Sequence, residues 1–172
     1  MNNVFRFVIV AAASCALAAC IQSDGPLLTD SKPLFGDGVR FQMFSLHGGA
    51  AHDPEVIRFR WDGKRYVPAD APSGQAAPFT VHASIGQDLI LQAANPGSPV
   101  DYAVARKIAV GTFLLVAVDE DDADARTRAT FCTKDVSPCR VKTTEALAAF
   151  VRATVAKPYD RGGLAIRLAD DK

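Results

Sequence analysis

His47 and His52 stand five positions apart in the stretch LHGGAAHD, and Asp53 directly follows the second imidazole. Two imidazoles and a carboxylate form a ligand set for a transition metal, since neutral ring nitrogens and carboxylate oxygens are donors such ions take. Their spacing matches neither a helical nor a hairpin zinc pattern, so the local chain does not set their geometry. A second group, Arg58, Arg60 and Arg65, lies in VIRFRWDGKRYVP. If Asp62-Gly63 forms a two-residue type I′ loop, Arg60 faces Arg65 directly. That opposition is unfavourable unless an anion such as a phosphate, carboxylate or lipid headgroup sits between the two. A solvated outer face balanced by carboxylates elsewhere is the plainer reading. The run DEDDADAR, Asp119 to Arg126, gathers five acids. As a calcium loop of the EF-hand type it fails, because Asp124 stands where glycine is needed and no glutamate follows at the twelfth position. It reads as a solvated loop tip.

Catalysis asks for a nucleophile with a base, or for a phosphate cradle. The chain has no G-x-S-x-G, no H-E-x-x-H and no Walker-type loop. We therefore read it as non-enzymatic, with no cofactor. The alternative is an unrecognised hydrolase or metal-dependent enzyme built on His47 and His52. With 19 basic and 19 acidic side chains there is no net positive field to attract nucleic acid.

The elements that must carry these side chains are mostly strands. Around Asp62-Gly63, the two-residue loop pairs Trp61 with Lys64 and Phe59 with Tyr66, so Ile57, Phe59, Trp61 and Tyr66 form one apolar face. FTVHASIGQDLILQA alternates, with Phe79, Val81, Ala83 and Ile85 on one side and Thr80, His82 and Ser84 on the other. Matching apolar faces favours a three-residue loop, Gly86 to Asp88, which opposes Ile85 with Leu89, Ala83 with Leu91 and Val81 with Ala93. A third pair turns at Gly111, and its second strand, Phe113 to Val118, is apolar on both faces and needs an outside cover. TTEALAAFVRATVAK supplies one. Leu147, Phe150, Val151, Thr154 and Val155 form a helical stripe, with Thr143 as cap, Glu145 in the first turn and Pro158 as stop.

Counting Val39 to Leu46, three hairpins and Arg128 to Thr133 gives eight meander strands, followed by the helix and a ninth strand in GLAIRL. The fold class expected is mainly β: an antiparallel meander forming an eight-stranded barrel or sandwich, with one C-terminal helix packed outside. Closure removes the edges that would otherwise invite aggregation. Phe59, Trp61, Val81 and Leu91 would line the interior and could meet an apolar ligand.

The front of the chain carries targeting information. Arg6 is the only charge before an uncharged run from Phe7 to Ala19, thirteen residues long, whereas a bilayer-crossing helix needs about 20. This is the layout of an export signal. Leu17-Ala18-Ala19-Cys20 resembles the lipobox of bacterial lipoprotein precursors. The resemblance implies cleavage before Cys20, a diacylglyceryl group on its sulfur and a further acyl chain on its new amine, palmitate being a typical chain. It also implies a cell-envelope location. Ile21, in place of an aspartate after the cysteine, points to the periplasmic face of the outer membrane.

Residues 1–19 are thus expected to be a signal peptide, 20–33 a lipidated tether rich in Ser, Asp, Pro and Gly, and 34–172 a single β-rich domain. Export places Cys132 and Cys139 in an oxidising compartment, where an even pair reads as a disulfide. Closing so short a loop contributes about 2.5 kcal/mol on the chain-entropy formula, and Asp135 to Pro138 supply turn residues between them. In layout alone, the meander, outer helix and last strand are similar to lipocalins and their calycin relatives, without the glycine-x-tryptophan motif of that family. That similarity implies a carrier of a small apolar ligand. The leading expectation is a membrane-anchored envelope lipoprotein with a non-enzymatic binding or structural accessory role. Its partners would be the membrane through its lipid, and either an envelope protein or a small apolar ligand, with no nucleic acid.

Overall fold

The computed structural model describes residues 21–47, 50–51, 55–69, 76–83, 88–132, 138–157 and 164–169. In chain order the strands are β1 (Gln22–Ser23), β2 (Gly38–His47), β3 (Ala50–Ala51), β4 (Glu55–Trp61), β5 (Tyr66–Pro68), β6 (Phe79–Ala83), β7 (Leu89–Ala93), β8 (Val100–Ala109) and β9 (Thr112–Ala117). The helices α1 (Ala125–Phe131) and α2 (Thr144–Ala156) follow, and then β10 (Leu164–Ala169). Seven strands, β2 and β4 to β9, pair antiparallel in succession, and β10 pairs with both β2 and β9. This closes an eight-stranded barrel, which leaves no long edge exposed. β1 is an extra strand beside β8.

Two apolar layers result. Inside the barrel, Phe41, Phe59, Tyr66, Phe79 and Phe113 pack with Val39, Val81, Leu91, Ala105 and Ile166. Tyr66 stacks on Phe79 at 5.1 Å between ring centroids, and Phe59 meets Phe79 edge-on at 5.0 Å. Outside, α2 lays Leu147, Phe150 and Val151 over the outward side chains Ile90, Tyr102, Val104 and Val118. Each of those three helical side chains is fully buried, a contribution of about 1.5–3 kcal/mol apiece. The stripe and the cap are as the periodicity requires: Thr143 accepts a hydrogen bond from the Ala146 N–H at 3.2 Å.

Three expectations of detail are corrected. The strand expected at Arg128 to Thr133 is replaced by helix: Arg128 to Phe131 belong to α1, which starts because Asp124 accepts from the Thr127 N–H at 2.7 Å, and Thr133 lies outside the described residues. The eighth barrel strand is β10. The hairpin β4–β5 pairs Trp61 with Tyr66, Arg60 with Val67 and Phe59 with Pro68, so its loop runs from Asp62 to Arg65. Asp62 builds that loop: its Oδ1 accepts from the N–H groups of both Lys64 and Arg65 at 2.9 Å, and Gly63 takes φ of 96°. Likewise Val81 pairs with Leu91 and Ala83 with Leu89, two positions from the expected register. Ser84 to Gln87, in the connection itself, lie outside the described residues. Both shifts are by two, so every side chain keeps its face; matching faces fixes register only to within steps of two.

Candidate functional site

Residues 21–33, expected from composition to be a tether, lie along the barrel wall as a strap. Ile21 is fully buried and its N–H donates to the Val118 carbonyl at 2.7 Å. The Gln22 N–H donates to Cys139, and the Gln22 carbonyl accepts from Val141. The Gln22 amide also donates to Asp101 Oδ1 at 2.8 Å; burial raises that carboxyl above its usual value, and this bond partly offsets the rise. Ser23 donates to the Gly25 carbonyl at 2.6 Å, which commits its proton, so the Tyr102 hydroxyl donates to Ser23 at 2.7 Å and can accept from the Leu27 N–H at 3.3 Å. Burial pushes the Tyr102 phenol up.

Gln92 is the central clasp. Its Oε1 accepts from Leu27 and Leu28 N–H at 3.1 and 3.0 Å, while its Nε2 donates to the Leu28 carbonyl and to Thr80 Oγ1, both at 3.2 Å. His82 is 5% exposed and bonds Thr80 Oγ1 at 2.8 Å; desolvation holds its pKa below 6.5 against the opposing influence of Asp30. The alternation reads His82 as a surface residue on the polar face of its strand; the face is right, but the side chain is buried, because the strap covers it. Further on, Phe35 packs its ring against Phe41, Tyr66 and Phe113, and its N–H donates to the Tyr66 hydroxyl at 2.9 Å. A cleft of about 240 Å³ opens between the strap at Ser23–Leu27 and Val141–Lys142.

The arginine group is rearranged. Arg65 sits in the turn with its Nε 3.6 Å from Asp62 Oδ2, so it neither faces Arg60 nor joins a strand surface. Arg58 and Arg60 do share the outer face of β4, and the cation directly across from Arg58 is Arg40 of β2. Arg167 of β10 pairs with Gln42 of β2, placing a fourth guanidinium on the same outer wall. The alternation in GVRFQMF and LAIRL marks Arg40 and Arg167 as outward positions; their adjacency depends on where β10 inserts.

The chain matches no protein-family model, no curated protein and no solved structure. Its reading therefore rests on its own geometry. Among the described residues no helix is long and apolar enough to cross a membrane.

The remaining sequence candidates fall as follows. Cys132 and Cys139 form a disulfide. A carboxylate oxygen of Glu120 lies within 4.8 Å of both sulfurs, but a disulfide offers no thiolate to a metal. His47 ends β2, while its side chain and the whole of His52 lie outside the described residues, as do Cys20 and residues 1–19. Phe59, Trp61, Val81 and Leu91 all point into the barrel, where Trp61 meets Tyr66 at 5.2 Å and Phe59 meets Phe41 at 5.3 Å. The acids after β9 do local work: Asp119 accepts from the Asp121 N–H, Asp124 caps α1, and Asp121 pairs with Arg128 at 3.3 Å.

Proposed function

We propose that this chain is an envelope lipoprotein, cut before Cys20 and acylated there, with a non-enzymatic binding or structural accessory role at the periplasmic face of the outer membrane. The observation that carries the reading is the junction itself. Leu17-Ala18-Ala19-Cys20 runs directly into Ile21, which is already buried and hydrogen-bonded in the barrel wall. Two or more acyl chains make such attachment stable, where one holds only marginally.

The strap adds a mechanical consequence. Consecutive Cα atoms are about 3.8 Å apart, so a lipid on Cys20 has almost no slack before the fold begins. The domain is then held against its leaflet, and a partner must come to the membrane to meet it. Filling of the barrel by its own rings favours recognition on the outer surface over carriage inside, since a ligand would have to displace packed aromatic side chains.

Intact-mass measurement of the protein released from membranes by detergent tests this. The expected mass is that of the chain from Cys20 with a diacylglyceryl group and one further acyl chain, with labelled palmitate incorporated. A free thiol at Cys20, or a terminus elsewhere, would overturn the proposal.

A further inference from the structure

The first residues of the strap are held between two partners. On one side β1 pairs with β8, Gln22 opposite Asp101 and Ser23 opposite Val100. On the other, Gln22 bridges in parallel to Arg140: its N–H donates to the Cys139 carbonyl at 3.0 Å and its carbonyl accepts from the Val141 N–H at 2.8 Å. Arg140 also forms an ion pair with Asp24. Cys139 and Val141 are buried in the same outer core as Ile21. Beyond this short contact the two sides part, and the cleft of about 240 Å³ opens between Ser23–Leu27 and Val141–Lys142. Residues 139–141 therefore meet the strap along a narrow seam. That seam is fixed at both ends. Thr143 starts α2 at one end, and at the other Cys139 is bonded to Cys132, the residue that ends α1.

We propose that the Cys132–Cys139 disulfide is a redox-sensitive lock on the strap, opened by a dithiol. Cys139 is fully buried and Cys132 reaches solvent, so the exchange starts at Cys132. A thiolate of the dithiol attacks Cys132 Sγ, the S–S bond breaks, and Cys139 Sγ leaves with the electron pair and takes up a proton. The second thiol of the reagent then displaces Cys132 from the mixed disulfide. The two electrons come from the dithiol, which closes into its own disulfide. Residues 139–141 are afterwards tied to the fold only through α2. Opening of the seam gains the chain freedom that the closed loop denied it, about 50-fold for cysteines seven positions apart. Once the seam opens, Ile21 loses its cover and the strap's first residues hang on β8 and the Val118 carbonyl, while Gln92 still holds Leu27 and Leu28. The effect on reach rests on the lipoprotein reading: with a lipid on Cys20, release adds residues 21–26 to the tether, up to about 20 Å when extended.

Residue-resolved hydrogen exchange of the full-length protein, with and without dithiothreitol, tests the lock. The Gln22 and Val141 amides should exchange about 50-fold faster after reduction, with the amides of β6 and β7 unchanged. The double variant Cys132→Ala, Cys139→Ala should exchange fast at both positions whether or not the dithiol is present. Acceleration below about three-fold at Gln22 and Val141 would overturn the proposal. So would an equal increase throughout the barrel, or a response to the dithiol in the double variant. For the acylated protein on phosphatidylcholine vesicles, an aspartate-specific endoprotease should cut before Asp24, and so free the barrel, about ten-fold faster once the protein is reduced; an unchanged rate would show the strap still closed and overturn its release. Failure of the lipoprotein reading looks different: a chain with a free Cys20 shows the same exchange pattern but does not stay on the vesicles.

Discussion

Replacing Gln92 with leucine keeps nearly the same volume and removes the clasp on the strap. Gln92 makes three hydrogen bonds to strap backbone: two from the N–H groups of Leu27 and Leu28, and one to the Leu28 carbonyl. At about 1 kcal/mol net for each, the strap loses about 3 kcal/mol against local opening, which is about 100-fold in the open population. The loss is uneven. The Leu27 N–H still reaches the Tyr102 hydroxyl, whereas among the described residues the Leu28 N–H has no second acceptor. Residue-resolved hydrogen exchange on Gln92→Leu should therefore accelerate Leu28 by about 100-fold, Leu27 by less, and the amides of β8 and β9 hardly at all. An increase below about three-fold at Leu28 would show that apolar contacts alone hold the strap. Equal acceleration throughout the barrel would show that Gln92 supports the core and not the strap.

Two further outcomes follow from the buried polar groups. Tyr66→Phe removes a hydroxyl that accepts from the Phe35 N–H and donates to the Gly36 carbonyl at 2.8 Å, so it should cost about 2 kcal/mol and lower Tm by about 4–8 °C in calorimetry; a fall below about 1 °C would refute the pairing. His82 is held neutral by burial, so its pKa is lower folded than unfolded; between those two values the unfolded chain binds more protons, and stability falls as pH drops below 6.5 and levels off under the folded value. Denaturation midpoints of the wild type and His82→Gln, compared across that range, should diverge as acid is added, and parallel curves would remove His82 as the cause.

Local patterns carried the faces of the elements and the identity of α2, because alternation and the 3.6-residue stripe are properties of a few neighbouring residues. What failed is what neighbours cannot encode. Face matching left β4–β5 and β6–β7 two residues out of register, and the two-residue Asp-Gly turn gave way to one in which the Asp62 carboxylate gathers two N–H groups. Arg128 to Phe131 went to a helix because Asp124 caps it, a signal as visible in sequence as Thr143 before α2. The Ser, Asp, Pro and Gly content of 21–33 suggested a solvated linker, yet Ile21 is fully buried and Leu27 and Leu28 pack partly buried against the outer core, the apolar residues that composition averages away.

The arginine wall shows why site and fold were legible to different depths. Arg58 and Arg60 share a face by simple alternation, so half of the cluster was visible in one strand. Arg40 and Arg167 join them only because β10, 164–169, returns across the chain to insert between β2 and β9. That insertion closes the barrel around the aromatic interior and sets Arg167 opposite Gln42 of β2 and Thr112 of β9, at the end of β9 away from the strap's contact with Val118. Closure thus links stability to placement: loss of the β10 pairings would open two sheet edges and also scatter the cations. A cationic surface assembled by the last strand therefore forms only once the chain has folded and the barrel is complete.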